Sequence, residues 1–287
     1  LRRVLAEVPG DGAALEGLWD LGIHGPPARA AEPAISVVVP TFGRPDALVG
    51  LLDRIALQDL PADRYEVLVV DDGSPVHVQL DPADWPFELV LLRQDNAGPG
   101  AARNTAIAHA RAPLLVIYND DALPEPDNLS GHLERQAALD RPGLVLGPFT
   151  LLDAHRRTVL GEAFETRPLL FEYVAMRPFQ WHGWGHCYTC NLSVPTQAVR
   201  AVGGFDAATF HHALCEDVEL GLRLERQQGL QIFYDPGLRC GHDHRVPVES
   251  LMRRSFRLGY YQARMVDLHP DLPLLARVVP EPGPRAS

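Results

Sequence analysis

Three short apolar segments end in polar residues able to bind or transfer charge: Pro40 and Thr41, then Asp71 and Asp72, then Asn119, Asp120 and Asp121. Adjacent acids such as Asp120 and Asp121 repel each other unless a cation or hydrogen-bond donors compensate. Hard carboxylate oxygens that leave room for a phosphate suit Mg²⁺ or Mn²⁺. The same residues also suit a solvated loop with a helix N-cap. Asp71, Asp72, Gly73 and Ser74 by themselves fit a turn, where Asp and Gly serve local hydrogen bonding and positive φ.

Between the second and third of these groups, the segment from Asn96 to Asn104 is a glycine-bearing loop entering a helix, a placement that offers backbone N–H groups to an anion. Arg103 stands where a third glycine of a dinucleotide fingerprint belongs, and no phosphate-loop lysine follows, so both of those classes are weak matches. Cys187 and Cys190 form a CxxC that can join nearby histidines around zinc, but no second CxxC exists.

Apolar, β-branched runs at 35–39, 67–70, 89–92 and 114–118 alternate with helical patterns at 45–58 and 100–110. Continuous rather than alternating apolarity predicts strands buried on both faces, as in a mostly parallel central sheet with helices on both sides. Ligands of such α/β sheets bind at the carboxyl ends of the strands, so the three polar groups are expected to converge on one crevice. Further along, the pattern predicts a helix at 127–139, a strand at 143–151, helices at 216–228 and 248–266, and a short strand at 231–235. Residues 1–34 are read as an N-terminal extension and linker, 35–268 as the main domain, and 269–287 as a proline-rich tail. Within the main domain, 35–121 form a nucleotide-binding half and 122–268 the acceptor and catalytic half.

Composition narrows the function classes. A chain of 287 residues with 46% hydrophobic side chains can bury a sizeable core. Its net charge of −11 disfavours broad capture of a nucleic-acid polymer, while a nucleotide can still bind in a locally basic cleft. Four cysteines make no disulfide framework at this length, and no apolar run reaches the roughly 18 residues of a membrane span. The expected setting is cytoplasmic, or peripheral at a membrane.

The ordered set VVVPTFGRP (37–45), VVDDGS (69–74), NAGPGAARN (96–104), NDDALPEP (119–126), NLSV (191–194), GGFD (203–206) and Glu216–Asp217 resembles the family 2 glycosyltransferases of GT-A fold, the Rossmann-like fold of nucleotide-diphospho-sugar transferases. The resemblance implies that Pro40, Thr41, Arg44 and Asp72 line a nucleobase pocket, with Arg103 beside the nucleotide. Asp121 becomes the main metal ligand and Asp120 faces the ribose or the metal. Asn119 replaces the first acid of the DxD motif, which shifts metal binding onto Asp121 and a late histidine, His242 or His244.

The resemblance also makes Asp217 the catalytic base and Glu216 its support. Acids there equally suit the dipole of a helix that opens at 216. Arg253, Arg254 and Arg257 fit either a departing diphosphate or a solvated basic face. Trp181, Trp184 and Asn191 fall where family members shape the sugar and acceptor site. The implied activity is metal-dependent, inverting transfer of a sugar from a nucleotide-diphospho-sugar, with UDP-sugars favoured, to the hydroxyl of a saccharide or lipid-linked glycan. Two alternatives stand beside it. One is a catalytically weak binding or scaffold module of the same fold. The other is a sugar-phosphate nucleotidyltransferase, which expects a glycine run after the first strand that VVVPTFGRP lacks.

Overall fold

Apolar runs too short for helices and rich in Val, Ile and Leu are driven to strands covered on both faces. The computed structural model describes residues 32–158, 161–163, 171–243 and 248–272, and opens with β1 (Ile35–Thr41), α1 (Pro45–Ala56), β2 (Tyr65–Asp71), β3 (Glu88–Arg93), α2 (Pro99–His109) and β4 (Leu114–Tyr118). Every residue of β1, β2 and β4 is buried. In α1, Pro45 sits in the first turn, where its missing N–H costs nothing. The helix turns Leu48, Leu51, Leu52 and Ile55 onto the sheet with helical spacing.

The chain continues through β5 (Ala122–Pro124), α3 (Asn128–Ala138), β6 (Gly143–Leu146), β7 (Phe149–Leu151), α4 (Asp153–Arg156), β8 (Gln180–His182), β9 (Asn191–Pro195) and α5 (Thr196–Ala201). It ends with α6 (Glu216–Gln228), β10 (Gln231–Tyr234), β11 (Cys240–His242) and α7 (Val248–Leu268). Among the described residues the main sheet has eight strands in the order β3-β2-β1-β4-β9-β6-β10-β8. Its β3-β2-β1-β4 half is wholly parallel, whereas β9 runs antiparallel to both neighbours and β8 runs antiparallel to β10. The sheet is therefore mixed, with its parallel part confined mainly to the first half.

Strand order reverses between β1 and β4, and that switch point opens a crevice beyond their carboxyl ends. The β1–β2 register sets Thr41 level with Asp71, so the polar groups at the strand ends arrive side by side.

The single strand expected at 143–151 is two strands in different sheets. Gly147 and Pro148 separate β6, in the main sheet, from β7, which pairs with β11 in a small β5-β11-β7 sheet. Asn191 holds this junction: its amide donates to the carbonyls of Pro148 at 3.0 Å and Leu238 at 2.7 Å. Buried His132 bridges Asn191 and Ser193 at 3.0 Å each. A Cβ on residue 147 would lie 2.2 Å from the Leu238 carbonyl oxygen and 2.3 Å from the Asn191 amide nitrogen, so only glycine fits.

The end of α7 packs back on the body. His269 lies 3.3 Å from Glu219 and Arg226 pairs with Asp271 at 2.8 Å, so residues 269–271, assigned to the tail from sequence, contact α6. Residues 1–31, 244–247 and 273–287 lie outside the described residues, and with them most of the N-terminal extension, His244 and most of the proline-rich segment. Gly147→Ala is expected to lower the unfolding free energy by about 1–3 kcal/mol, the usual cost of overpacking. Urea denaturation followed by circular dichroism measures it, and an unchanged midpoint would show that the junction yields without strain.

Candidate active site

Thr41, the last residue of β1, donates from its hydroxyl to Asp120 at 2.8 Å, closing the switch point between β1 and β4. Arg44, four residues after the β1 proline, reaches the same place. Its guanidinium pairs with Asp120 and with Asp121, the latter at 2.6 Å. The two adjacent acids are thus compensated by a cation from the loop before α1. Both carboxylates are almost fully buried, whereas the Arg44 side chain is 44% exposed.

Their electrostatics diverge. Burial and the neighbouring Asp121 push Asp120 up to about 6 despite Arg44. For Asp121 burial acts in the same sense, but a hydrogen bond and attraction from His242 together with Arg44 outweigh it, and the carboxyl falls to about 2. At neutral pH, Asp121 is the firmly anionic member of the pair.

The small sheet explains how His242 arrives. In the β11–β5 pairing His242 lies opposite Ala122, the residue after Asp121, and the N–H of Asp243 donates to the Asp121 carbonyl at 3.1 Å. The imidazole Nε2 stands 3.5 Å from Asp121 Oδ2, and the ring stacks on Phe149 of β7 with centroids 4.2 Å apart. A carboxylate and an imidazole side by side form a donor set suited to a divalent cation whose remaining positions come from phosphate and water. Among the described residues no group of three or more His, Cys, Asp or Glu side chains is placed to hold a metal ion, and His244 lies outside them.

Arg103, from α2, is 3% exposed and ties the two halves of the domain together. It donates to Glu216 at 2.9 Å and to the Asn119 side-chain carbonyl at 3.1 Å, and lies over the ring of Phe205. Asn119 therefore serves as a neutral acceptor for Arg103, a role an amide fills without adding a charge beside Asp120 and Asp121. Glu216 and Asp217 open α6 after Cys215, a non-glycine residue held at φ 69°. Such backbone strain is often retained where a site requires it. Burial, then repulsion from Asp217, pushes Glu216 up to about 7 against the pull of Arg103. Burial raises Asp217 as well, although Arg103 and the Val218 N–H favour its charged form.

Two hollows meet at this point. One, of about 480 Å³, is lined by Pro40, Thr41, Arg44, Asp72, Asp120 and Arg257. The other, of about 220 Å³, is lined by Asp121, Phe149, Glu216, Asp217, His242 and Arg254. They share Arg103, Asn119 and Ala213 as a common wall. Arg254 and Arg257 thus face separate hollows from α7, whereas Arg253 lines neither.

Two donors of the loop before α2 are already taken. Asp72 accepts from the N–H groups of Ala97 at 3.0 Å and Gly98 at 2.8 Å, so the anion at that turn is the protein's own carboxylate. Asp71 makes the expected turn, accepting from the Ser74 N–H at 2.9 Å. Gly98, at φ 92°, lets the loop touch His211; a Cβ there would sit 2.3 Å from the His211 carbonyl oxygen.

The tryptophans fall elsewhere. Trp181 packs against Phe233 and Arg141 on the β8 edge, and Trp184 packs near Phe210 and Tyr261. Neither lines either of these two hollows, and Asn191 is fully buried at the sheet junction. Cys190 lines the smaller hollow; burial pushes its thiol up to about 12 and Cys187 well above its usual value, the state of buried, unreactive thiols. His211, His212 and Phe149 line the hollows without having been singled out from sequence. The His211–His212 pair shortly before Glu216–Asp217 was the available signal; Phe149 offered none.

Comparison with known proteins now decides the family. The pattern described as Glycosyl transferase family 2 matches residues 36–192, more than half of the chain. The chain belongs to glycosyl transferase family 2. It is 29% identical over 254 residues to a pre-mycofactocin glycosyltransferase of Mycobacterium tuberculosis (strain CDC 1551 / Oshkosh), covering 86% of this chain and 50% of that protein. It is 28% identical over 277 residues to a validoxylamine A glucosyltransferase of Streptomyces hygroscopicus subsp. jinggangensis (strain 5008), covering 86% and 64%. The chain thus spans about half to two thirds of the length of these relatives. Among solved structures, a Pyrobaculum calidifontis mannosyltransferase in complex with GDP-Man and Mn²⁺ superimposes with a TM-score of 0.58 at 21% identity, covering 93% of this chain and 75% of that one. S. aureus TarS 1–349 in complex with UDP gives 0.53 at 17%, covering 84% and 67%. The fold expected from the motifs is the fold observed.

Because Glu216 carries a raised pKa, it ionises at a cost in the folded state. Its contribution to stability is fully present below the usual glutamate range and is lost as pH rises through about 7. Glu216→Gln should therefore raise the melting temperature relative to the parent more at pH 8 than at pH 5. Differential scanning calorimetry at both values tests this, and a larger gain at pH 5 would reverse the assigned sign.

Proposed function

We propose that the chain is the catalytic domain of a metal-dependent, inverting glycosyltransferase that moves a sugar from a nucleotide-diphospho-sugar to an acceptor hydroxyl. The observation that carries the proposal is the meeting of two hollows at Arg103 and Asn119, with Arg44, Asp72 and Asp120 on one side and Asp121, His242 and Asp217 on the other. The larger hollow takes the nucleoside, and the smaller takes the transferred sugar and the incoming hydroxyl. Fold neighbours support nucleotide-sugar binding, because the mannosyltransferase was solved with GDP-Man and TarS with UDP and UDP-GlcNAc. UDP-sugars remain the favoured donors.

Asp121 and His242 are the residues that would hold Mn²⁺ or Mg²⁺, and an imidazole donor fits Mn²⁺ better than Mg²⁺. When bound, the ion supplies Lewis-acid stabilisation of diphosphate charge. Arg44 is half-exposed on the two acids, so its guanidinium can swing to a phosphate when a cation takes its place. Arg254 and Arg257 face the hollows from α7 and balance the charge that develops on the departing diphosphate.

Asp217 acts as the base. As the acceptor oxygen attacks the anomeric carbon, its proton passes to the Asp217 carboxylate, and the bond from that carbon to the diphosphate oxygen breaks in line. The nucleoside diphosphate leaves with the bonding electrons, and attack from the opposite face inverts the anomeric centre. Glu216, clamped by Arg103, holds the first turn of α6 so that Asp217 stays in the hollow.

A thermal-shift panel of nucleoside diphosphates and nucleotide sugars with and without Mn²⁺ tests donor binding, since a ligand of the native state raises apparent stability by mass action. Asp121→Ala should abolish the Mn²⁺-dependent shift, and Asn119→Ala should reduce it less. A full shift in Asp121→Ala would remove that residue from the metal site. Asp217→Asn should lose about 10²–10⁴-fold in turnover, the usual range for a general base, while keeping the donor-induced shift. Undiminished turnover would remove Asp217 from the base role, and anomeric configuration by NMR tests inversion.

A further inference from the structure

Helix α7 packs through one face only. Tyr261 and Met265 are buried against Phe210, Leu214 and Leu222, with Leu258 partly buried beside them. On the face turned away from the body, Val248, Met252, Phe256 and Tyr260 follow one another at four-residue spacing, 55%, 69%, 84% and 60% exposed. At 1.5 Å per residue they form an apolar ridge about 18 Å long. Arg253, Arg257 and Arg264 lie along one flank of it, Arg264 paired with Asp267 at 3.1 Å. Residues 250–266 hold four arginines and no acid, in a chain with 37 acids and a net charge of −11; Glu249 and Asp267 stand only at the helix ends.

We infer that this face of α7 docks on an anionic lipid surface, lying in the plane of the headgroups. An exposed apolar ridge beside a row of arginines is the pattern of an interfacial helix, in which aromatic and aliphatic side chains enter the acyl boundary and cations meet acidic headgroups. Phe256 and Tyr260 supply the aromatic insertion and Met252 adapts to the irregular lipid boundary. Among the described residues no helix is long and apolar enough to cross a membrane, and α7 needs only to lie on one. Its arginine flank is the side on which Arg257 reaches the larger hollow, so the docked helix holds the mouth of the site next to the lipid surface. The docking surface stands apart from the sugar-transfer proposal, because its test requires neither donor nor acceptor.

The experiment is co-sedimentation of the full chain with vesicles of phosphatidylglycerol and phosphatidylcholine in equal parts, compared with phosphatidylcholine alone. Binding to the anionic vesicles, weakened by salt, is expected. Met252→Ser with Phe256→Ser should reduce it at least tenfold, and Arg253→Gln with Arg264→Gln should remove the preference for anionic lipid. Both double variants should keep the parent's circular-dichroism spectrum and melting temperature, which shows that they remain folded. Absence of vesicle binding by the parent chain would overturn the inference, as would equal binding by the Met252–Phe256 variant. Sedimentation velocity covers the remaining occupant: a concentration-dependent dimer lost in that variant, with no vesicle binding, would assign the ridge to a second copy of the chain.

Discussion

Asp120, Asp121 and Glu216 are buried carboxylates, with half-buried Asp217 beside them, and two arginines decide whether they can share one crevice. Arg44 spans the first pair and Arg103 reaches the second, anchoring also on Asn119. Buried charges of one sign cannot be assembled without such partners, because desolvation and mutual repulsion both penalise them. Removing either arginine would leave buried carboxylates with weaker compensation, Thr41 and His242 at the first pair and the Val218 N–H at Asp217. The crevice at the β1–β4 switch point, the start of α6 and the approach of α2 all meet around these two guanidinium groups.

The two arginines differ in a way that suits different tasks. Arg103 is enclosed between α2, β4 and α6, and its fixed fork holds Asn119 and Glu216 in one geometry. Arg44 sits on a loop with nearly half of its side chain in solvent. The first is part of the frame, and the second is placed where it can change partners. A planar guanidinium serves both tasks because it meets carboxylate and phosphate through the same paired N–H groups.

The small β5-β11-β7 sheet carries the second constraint. It returns a strand from near the end of the domain to the residue after Asp121, and so sets an imidazole from position 242 beside an acid from position 121. The division of the 143–151 segment at Gly147 makes this possible, since β6 stays in the main sheet and β7 leaves it to flank β11. Asn191 and His132 hold the junction, which accounts for the NLSV motif as a brace for the site rather than a contact within it.

What sequence determined by itself was the parallel half of the sheet and the groups at its strand ends. Buried strands of Val, Ile and Leu are local signals, and a parallel order forces their carboxyl ends to one side. Ordered motifs then gave the family, and singled out Asp121, Asp217 and Arg103 as groups to look for around the crevice. Tertiary structure decided the rest. Which donors met Asp72, where the tryptophans packed, and what Asn119 did all depended on contacts between residues far apart in the chain. Asp72 turned to the N–H groups of Ala97 and Gly98, Trp181 and Trp184 packed into side-chain clusters, and Asn119 received Arg103. Local pattern specifies which groups stand at the end of a strand, but the partner that satisfies each one is chosen by the packing of the whole domain.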